Sequence, residues 1–269
     1  YNNYIVYISY KTYYSPFFIS ICYNTYIMKL SVVVPVYNEE KFIAVCLDSL
    51  LNQEEMPDEI IVVDNNSTDR TIPIAKRFGV RVVIEKKQGM SYARNAGFDA
   101  ATGEIIARCD ADSHVPPDWI KRIKDAFRKD GIEAVGGPLC YGDSKFARKY
   151  TTKAVNLHAK TYRTLQHNEV LYGPNMALTK SVWNKIRGEL NMDNTQVHED
   201  MDTANHIAKY GKIKFDPKLL VYTSNRRIRK NPASFFIEYP IRMIKTMNVD
   251  PLDTKTIRKI SDFIFSDPE

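Results

Sequence analysis

No stretch of this 269-residue chain reaches the roughly 18 consecutive apolar residues that a membrane-spanning helix needs. Glycine and proline are sparse, at 11 and 13 residues, which excludes collagen-like and low-complexity classes. The four cysteines, Cys22, Cys46, Cys109 and Cys140, form no CxxC pair, so neither a disulfide scaffold nor a zinc finger is indicated. Reduced thiols in a cytoplasmic compartment are the plainer reading. Charge is nearly missing from the start of the chain: residues 1–28 hold eight of the 17 tyrosines but one charge, Lys11. A secretory signal needs a basic start, an unbroken apolar stretch and small residues at a cleavage point. Pro16 and polar residues interrupt the run here, and Met28 then opens Met-Lys-Leu-Ser-Val-Val-Val-Pro. Residues 1–28 are therefore expected to be upstream sequence or a disordered extension, with a peripheral membrane anchor as the minor alternative.

What is present is an ordinary globular composition, 44% hydrophobic and 26% charged, enough for one large α/β domain or two small ones. The net charge of +6 is unevenly spread: residues 29–112 balance to −4, residues 113–225 to +6 and residues 226–269 to +3. An acidic first half suits a metal site, and a basic second half suits an anionic ligand or a membrane face. A merely solvated surface accounts for the charge equally well. No DNA or RNA motif accompanies the basic residues, so nucleic acid is not an expected partner.

From Leu30 onward apolar runs alternate with helical spacing. Strands are expected at Leu30–Val36, Glu59–Val63, Arg81–Glu85 and Glu104–Cys109. Helices are expected between them, over Phe42–Leu51, from a Thr71 cap to a stop at Gly79, and over Ser91–Ala101. Beyond Asp112 the pattern gives a helix over Asp118–Lys129, a strand at Ala134–Pro138, a long basic helix over Lys145–His167 and a strand near Leu171–Leu178. Helices from Ser181 and Glu199 follow, and Lys212–Phe215 and Leu219–Tyr222 are expected to finish the sheet. Strands separated by helices of this length argue for a parallel sheet with right-handed crossovers. Such sheets bind ligands beyond the carboxyl ends of their strands. Those ends carry Tyr37-Asn38-Glu39, Asp64-Asn65-Asn66-Ser67 and Asp110-Ala111-Asp112.

Asp110 and Asp112 are two residues apart in an extended segment, so both side chains point the same way. Converging carboxylates repel each other unless a cation or donor lies between them, and oxygen ligands of this kind suit Mg²⁺ or Mn²⁺. A lone pair of this spacing is also common in turns and caps. Its position after the run Ile105-Ile-Ala-Arg-Cys109 gives it weight.

Four segments then occur in order: Ser31-Val-Val-Val-Pro-Val-Tyr-Asn-Glu-Glu40, Ile61-Val-Val-Asp-Asn-Asn-Ser-Thr-Asp69, Ala93-Arg-Asn-Ala-Gly97 and Asp110-Ala-Asp112. Together they resemble the family 2 glycosyltransferases, which have the nucleotide-sugar-binding GT-A fold. The resemblance covers about residues 29–225. It implies an α/β, Rossmann-like, mixed but mainly parallel sheet flanked by helices; beyond it, the aromatic, aliphatic and basic residues of 226–269 read as a helical tail. It also implies roles. Pro35, Tyr37 and Glu39 would line a nucleoside pocket, Asp64 would meet the base, and Arg94 would lie close to the nucleotide. Asp110 would face the ribose or metal-bound water, and Asp112 would ligate the divalent ion at the diphosphate. For Asp64 an Asx turn is the competing explanation, and for Arg94 an ordinary helix-surface charge.

In the second half, an acidic pair in the family supplies the general base. Here it is Glu199-Asp200, with Asp200 as the base and Glu199 beside the substrate; complementing the helix dipole is the alternative role. The segment Tyr172-Gly-Pro-Asn-Met-Ala-Leu178 resembles the part of the family below the acceptor, which makes Asn175 a candidate contact, unless it is only a Gly-Pro turn. Two features depart from the family. The histidine that many relatives have after the late strand is missing from Val221-Tyr-Thr-Ser-Asn-Arg-Arg227, and the QxxRW motif of processive synthases is absent. Arg226 and Arg227 are the expected diphosphate ligands instead, since guanidinium groups match phosphate oxygens, with a surface basic cluster as the alternative. Cys140, His158 and His167 have no partners at ligand spacing and read as structural. The expected activity is inverting transfer of one sugar, from a UDP-sugar in the first instance, to a hydroxyl of a saccharide or lipid-linked acceptor. The aromatic tail would touch the cytoplasmic membrane face peripherally. A polyprenyl-phosphate glycosyltransferase and a catalytically silent nucleotide-sugar-binding module are the alternatives.

Overall fold

The computed structural model describes residues 6–9, 18–21, 28–141, 145–193, 198–226 and 246. Within the expected extension, β1 (Val6–Ser9) and β2 (Phe18–Ile21) pair antiparallel as a separate two-stranded sheet. Arg227 and the aromatic run Phe235–Ile244 lie outside the described residues.

The main body begins with β3 (Leu30–Val36), α1 (Ile43–Leu51), β4 (Glu59–Asp64), α2 (Thr71–Arg77), β5 (Arg81–Ile84), α3 (Met90–Ala100) and β6 (Ile105–Arg108). It continues through β7 (Ser113–His114), α4 (Trp119–Phe127), β8 (Ile132–Gly136), β9 (Leu139–Tyr141) and α5 (Lys145–Gln166). It ends with β10 (Met176–Thr179), α6 (Lys180–Ile186), α7 (Glu199–Ile207), β11 (Lys212–Phe215) and β12 (Val221–Thr223). Seven strands form one sheet in the order β11-β8-β10-β6-β3-β4-β5. All its pairs are parallel except those of β10, which runs antiparallel to both β6 and β8. The sheet is mixed but mainly parallel, as the sequence pattern and the resemblance imply.

Both faces of the sheet are covered, which explains why its central strands read as unbroken apolar runs. Val32, Val34 and Val36 of β3 pack with Ile43, Leu47 and Leu50 of α1 and Trp119 and Ile123 of α4. On the opposite face Val33, Ile61 and Val63 meet Ala93 and Phe98 of α3, Trp183 and Ile186 of α6 and Ile207 of α7. A side chain at Gly97 would overlap Val33 and lie 2.8 Å from Val63, so only glycine lets α3 come this close to the sheet.

Two expectations are corrected here. Thr71 does not cap α2; Arg70 occupies that place with no side-chain bond, and Asp69 Oδ1 accepts the Thr71 N–H at 2.9 Å. The last strand does not finish the main sheet either. β12 pairs parallel to β9 and antiparallel to β7 in a three-stranded sheet of its own. The chain leaves β8 at Gly136-Gly137-Pro138, where a side chain on Gly137 would collide with the Leu219 carbonyl and Pro138 has no N–H to extend the ladder.

The chain lays down β3, moves outward to β4 and β5, and returns to place β6 on the other side of β3. The carboxyl ends of β3 and β6 are therefore the switch point of the topology, where an open α/β sheet has a natural crevice.

Candidate active site

A cavity of about 320 Å³ opens at that switch point. It is lined by Pro35 and Val36 at the end of β3, Tyr37 and Glu39 after it, Asp110, Ala111 and Asp112 after β6, and Arg226 after β12, together with Asn65, Gln88, Met90 and Ala93. Six of the residues expected from sequence (Pro35, Tyr37, Glu39, Asp110, Asp112 and Arg226) thus share one crevice.

The loop walls are built by short polar side chains. Asn38 adopts a left-handed conformation (φ 55°), which asparagine tolerates better than most residues. Its Oδ1 accepts the Thr68 N–H at 2.8 Å, and its own N–H donates to Ser67 Oγ at 3.1 Å. The Glu39 N–H donates to Thr71 Oγ1 at 2.7 Å. The run Ser67-Thr68-Asp69 therefore stitches the loop after β4 to the loop carrying Tyr37 and Glu39. Asn65, nearly fully buried, donates to the carbonyls of Glu85 and Lys87 and accepts the Gly89 N–H at 2.8 Å, which ties the start of α3 to the same wall. Asp64 is not among the lining residues; its Oδ1 accepts the Ser67 N–H at 2.9 Å in a tight local turn.

The acidic side of the cavity is charged and partly neutralised by one arginine. Arg226 forms two bonds to the Glu39 carboxylate, one of them at 2.6 Å, and its Nε lies 3.1 Å from Asp112 Oδ2. Its guanidinium also rests over the Phe42 ring, 4.8 Å from the centroid. Burial and the neighbouring Asp110 charge push the Asp112 carboxyl up to about 6, against the opposing pull of Arg226. Such a carboxylate favours any added positive charge. Asp110 and Asp112 supply oxygen donors to one crevice, which fits Mg²⁺ or Mn²⁺ completing its shell from phosphate and water. Among the described residues no group of three His, Cys, Asp or Glu side chains is arranged to hold a metal by itself.

A second cluster lies behind the cavity. Arg108, the last residue of β6, is buried; its Nη1 is 2.6 Å from Glu199 Oε1 and its Nη2 is 3.2 Å from Asp110 Oδ1. Arg94, also buried, donates to the same Glu199 oxygen at 2.8 Å and to Thr203 Oγ1 at 3.2 Å. Arg94 is thus turned inward from α3 toward α7 and does not line the cavity. Burial opposes the ionisation of Glu199, but Arg108 and Arg94 hold its carboxyl below the usual range. Asp200 lies 3.6 Å from Arg108 Nη1 and accepts the Gly173 N–H. Burial and then the Glu199 charge push it up to about 6, with Arg108 opposing. A Cβ at position 173 would stand 2.6 Å from Asp200 Oδ1 and 2.9 Å from Arg108, so any larger residue there would push both side chains aside.

Asn175 is fully buried. Its Oδ1 accepts the Trp119 Nε1–H at 2.9 Å, and its Nδ2 donates to the carbonyls of Pro138 and Leu219, so it fastens β9 and the approach to β12 to α4. Cys140 bonds Thr152 and His158 bonds Tyr172, which are structural places. Arg108 and Asn65 have no expected role of their own in the sequence, although Asn65 lies in the strand-end run Asp64-Asn65-Asn66-Ser67. Their signal was a strong polar residue at the end of, or directly after, a buried strand, where its partners must be found elsewhere in the fold.

A profile of the family described as "Glycosyl transferase family 2" matches residues 31–186, more than half of the chain. The chain belongs to glycosyl transferase family 2. EpsJ of Bacillus subtilis (strain 168), described as an uncharacterized glycosyltransferase, is 33% identical to this family 2 chain over 152 residues, 55% of the chain and 41% of EpsJ. The chain therefore spans less than half the length of that relative. Among solved structures, the mannosyltransferase PcManGT of Pyrobaculum calidifontis, in complex with GDP-Man and Mn²⁺, superposes with a TM-score of 0.64 at 21% identity over 90% of this chain and 71% of that one. Glucosyl-3-phosphoglycerate synthase of Mycobacterium tuberculosis, with Mn²⁺, UDP and glucosyl-3-phosphoglycerate, gives 0.58 at 21% identity over 84% and 82%. At these identities the two structures show a shared fold.

Proposed function

We propose that the chain is an inverting glycosyltransferase that moves one sugar from a nucleoside-diphosphate sugar to an acceptor hydroxyl. The observation that carries the reading is the joining of two carboxylate centres. Asp110, which shares the switch-point crevice with Asp112, is connected through Arg108 to Asp200, a buried carboxylate raised to about 6 by burial and the Glu199 charge and so largely ionised at neutral pH. The donor diphosphate would lie along Glu39, Asp112 and Arg226. In the transfer, Asp200 takes the acceptor proton, the acceptor oxygen bonds to the anomeric carbon, and the diphosphate leaves from the opposite face with the bonding electron pair. A divalent ion bound at Asp112 and Asp110 would supply charge stabilisation to the leaving diphosphate. Arg226 is placed to add its own positive charge there by exchanging carboxylate for phosphate oxygens. A phosphate acceptor, already ionised, would not need Asp200, so the hydroxyl acceptor is favoured over a polyprenyl phosphate.

The GDP-Man and UDP complexes of the two structural neighbours support a nucleotide donor without choosing its base. The basic second half of the chain concentrates in α5, which has basic residues along its length and no acidic one. Lys149, Tyr150, Lys153, Leu157 and Lys160 are exposed on it. His158, on the inward face of the same helix, bonds Tyr172, next to the glycine whose N–H Asp200 accepts, so α5 runs beside the acceptor side with its basic face turned outward. That supports an acceptor presented at an anionic membrane surface. Phosphatidylglycerol vesicles that fail to bind the chain at low salt would remove the membrane part alone.

Thermal shift against UDP, GDP and their sugars, with and without Mn²⁺, tests the donor site, because a ligand of the folded state raises the melting point. Asp200→Asn is expected to keep that shift and lose turnover. Donor binding by the unsubstituted chain with no turnover on any acceptor would instead identify a silent binding module.

A further inference from the structure

We propose that Arg108 is a positioning residue that ties the donor-side carboxylate Asp110 and the base Asp200 to one guanidinium, and thereby sets the spacing between the breaking and the forming bond. This rests on the reading of Asp200 as the base.

The geometry supports it from several sides. Arg108 stands in a central strand, paired with Val33 of β3 on one side and Met176 of β10 on the other, so its backbone has no freedom to shift. Its guanidinium has one face of work: Nη2 holds Asp110 at 3.2 Å, and Nη1 holds Glu199 at 2.6 Å and stands 3.6 Å from Asp200. Nε meets no acceptor among the described residues, so the three carboxylates alone orient the group. Glu199 is anchored in turn by Arg94 at 2.8 Å, and a Cβ at Gly173 would touch both Arg108 and Asp200. The donor crevice and α7 are thus joined through a single planar cation, which spans two carboxylates in a fixed fork where lysine offers one point charge. Stability gives no reason to retain such a cluster, since buried ion pairs are commonly replaced by apolar residues without loss. Three acidic groups, one from the loop after β6 and two from α7, would otherwise repel one another, and the shared arginine is what keeps them convergent.

The experiment compares the unsubstituted chain with Arg108→Lys, Asp200→Asn and the charge-neutral pair Arg108→Met with Glu199→Gln. Thermal shift with UDP-glucose, UDP-N-acetylglucosamine and GDP-mannose reads donor binding, and release of nucleoside diphosphate with water as acceptor reads turnover. Arg108→Lys is expected to bind donor within about threefold of the parent and to lose roughly 10- to 100-fold in kcat, the scale of an ångström-sized misplacement. The neutral pair removes both charges, leaves Arg94 facing an amide oxygen where the Glu199 carboxylate stood, and is expected to show the same split. Parental turnover in either of these variants, while Asp200→Asn is inactive, overturns the role of Arg108 alone. A loss divided equally between donor affinity and kcat marks structural damage and also overturns it. Retained turnover in Asp200→Asn, or none in the unsubstituted chain, overturns the reading of Asp200 and this inference with it.

Discussion

Replacing Asp200 with asparagine should make the protein more stable while abolishing turnover, and the size of the gain follows from the burial of this carboxylate. The group is raised from an ordinary 3.8 to about 6, first by burial and then by the Glu199 charge. The folded chain therefore retains a proton that the unfolded chain gives up between pH 4 and 6. Stability falls as pH rises through that window, and the full cost is present above pH 6. A difference of this size corresponds to about 3 kcal/mol at 1.36 kcal/mol per pH unit. Asparagine keeps the shape of the side chain and an oxygen for the Gly173 N–H but carries no charge. At pH 8 the variant should melt higher by roughly 6–12 °C for a chain of this size, and near pH 4 the two melting points should converge. Scanning calorimetry in EDTA from pH 4 to 8 reads the difference directly. A variant that melts lower than the parent at pH 8, or a gap that does not change with pH, would refute the argument that Asp200 is held ionised against its surroundings.

Turnover of the parent chain should rise with pH through about 6 and then level, since Asp200 must lose its proton there to act as the base; a rate profile with saturating donor checks it. Gly173→Ala should preserve the thermal shift with nucleotide and reduce kcat by about 100-fold, because the added methyl group displaces Asp200 and Arg108. Glu199→Leu leaves two buried guanidinium groups without their shared partner and should cost roughly 3–5 kcal/mol in urea denaturation. Gly97→Ala should lower stability by about 1–3 kcal/mol in the same assay, against the usual gain of alanine over glycine in a helix, because α3 would be pushed off Val33 and Val63.

The alternating apolar runs were enough to place β3, β4, β5 and β6 and the helices between them to within a residue or two at most ends. A strand buried on both faces has to be apolar throughout, and that leaves a plain record in the chain. β7 and β9, two and three residues long, leave no such record, and the pattern of β12 points to the main sheet although it pairs with β9 and β7. Strands that short take their partners from the turn at Gly137-Pro138 rather than from their own pattern. The crevice was legible for a related reason: the residues after β3 and β6 lie at the carboxyl ends of recognisable strands, so Tyr37, Glu39, Asp110 and Asp112 could be named in advance.

The central strands, the position of the crevice and the acidic character of its floor are written in the local chain, because all three depend on residues close together along it. Tertiary structure decided the pairings. Arg94 and Arg108 meet Glu199 across separations of 105 and 91 residues, and Arg226 meets Glu39 across 187. It also turned Asn175 into a buried fastener and closed Asp64 into a local turn. A charged or polar side chain carries no mark of which distant partner will satisfy it; only the packed fold, by excluding water from both, makes that choice.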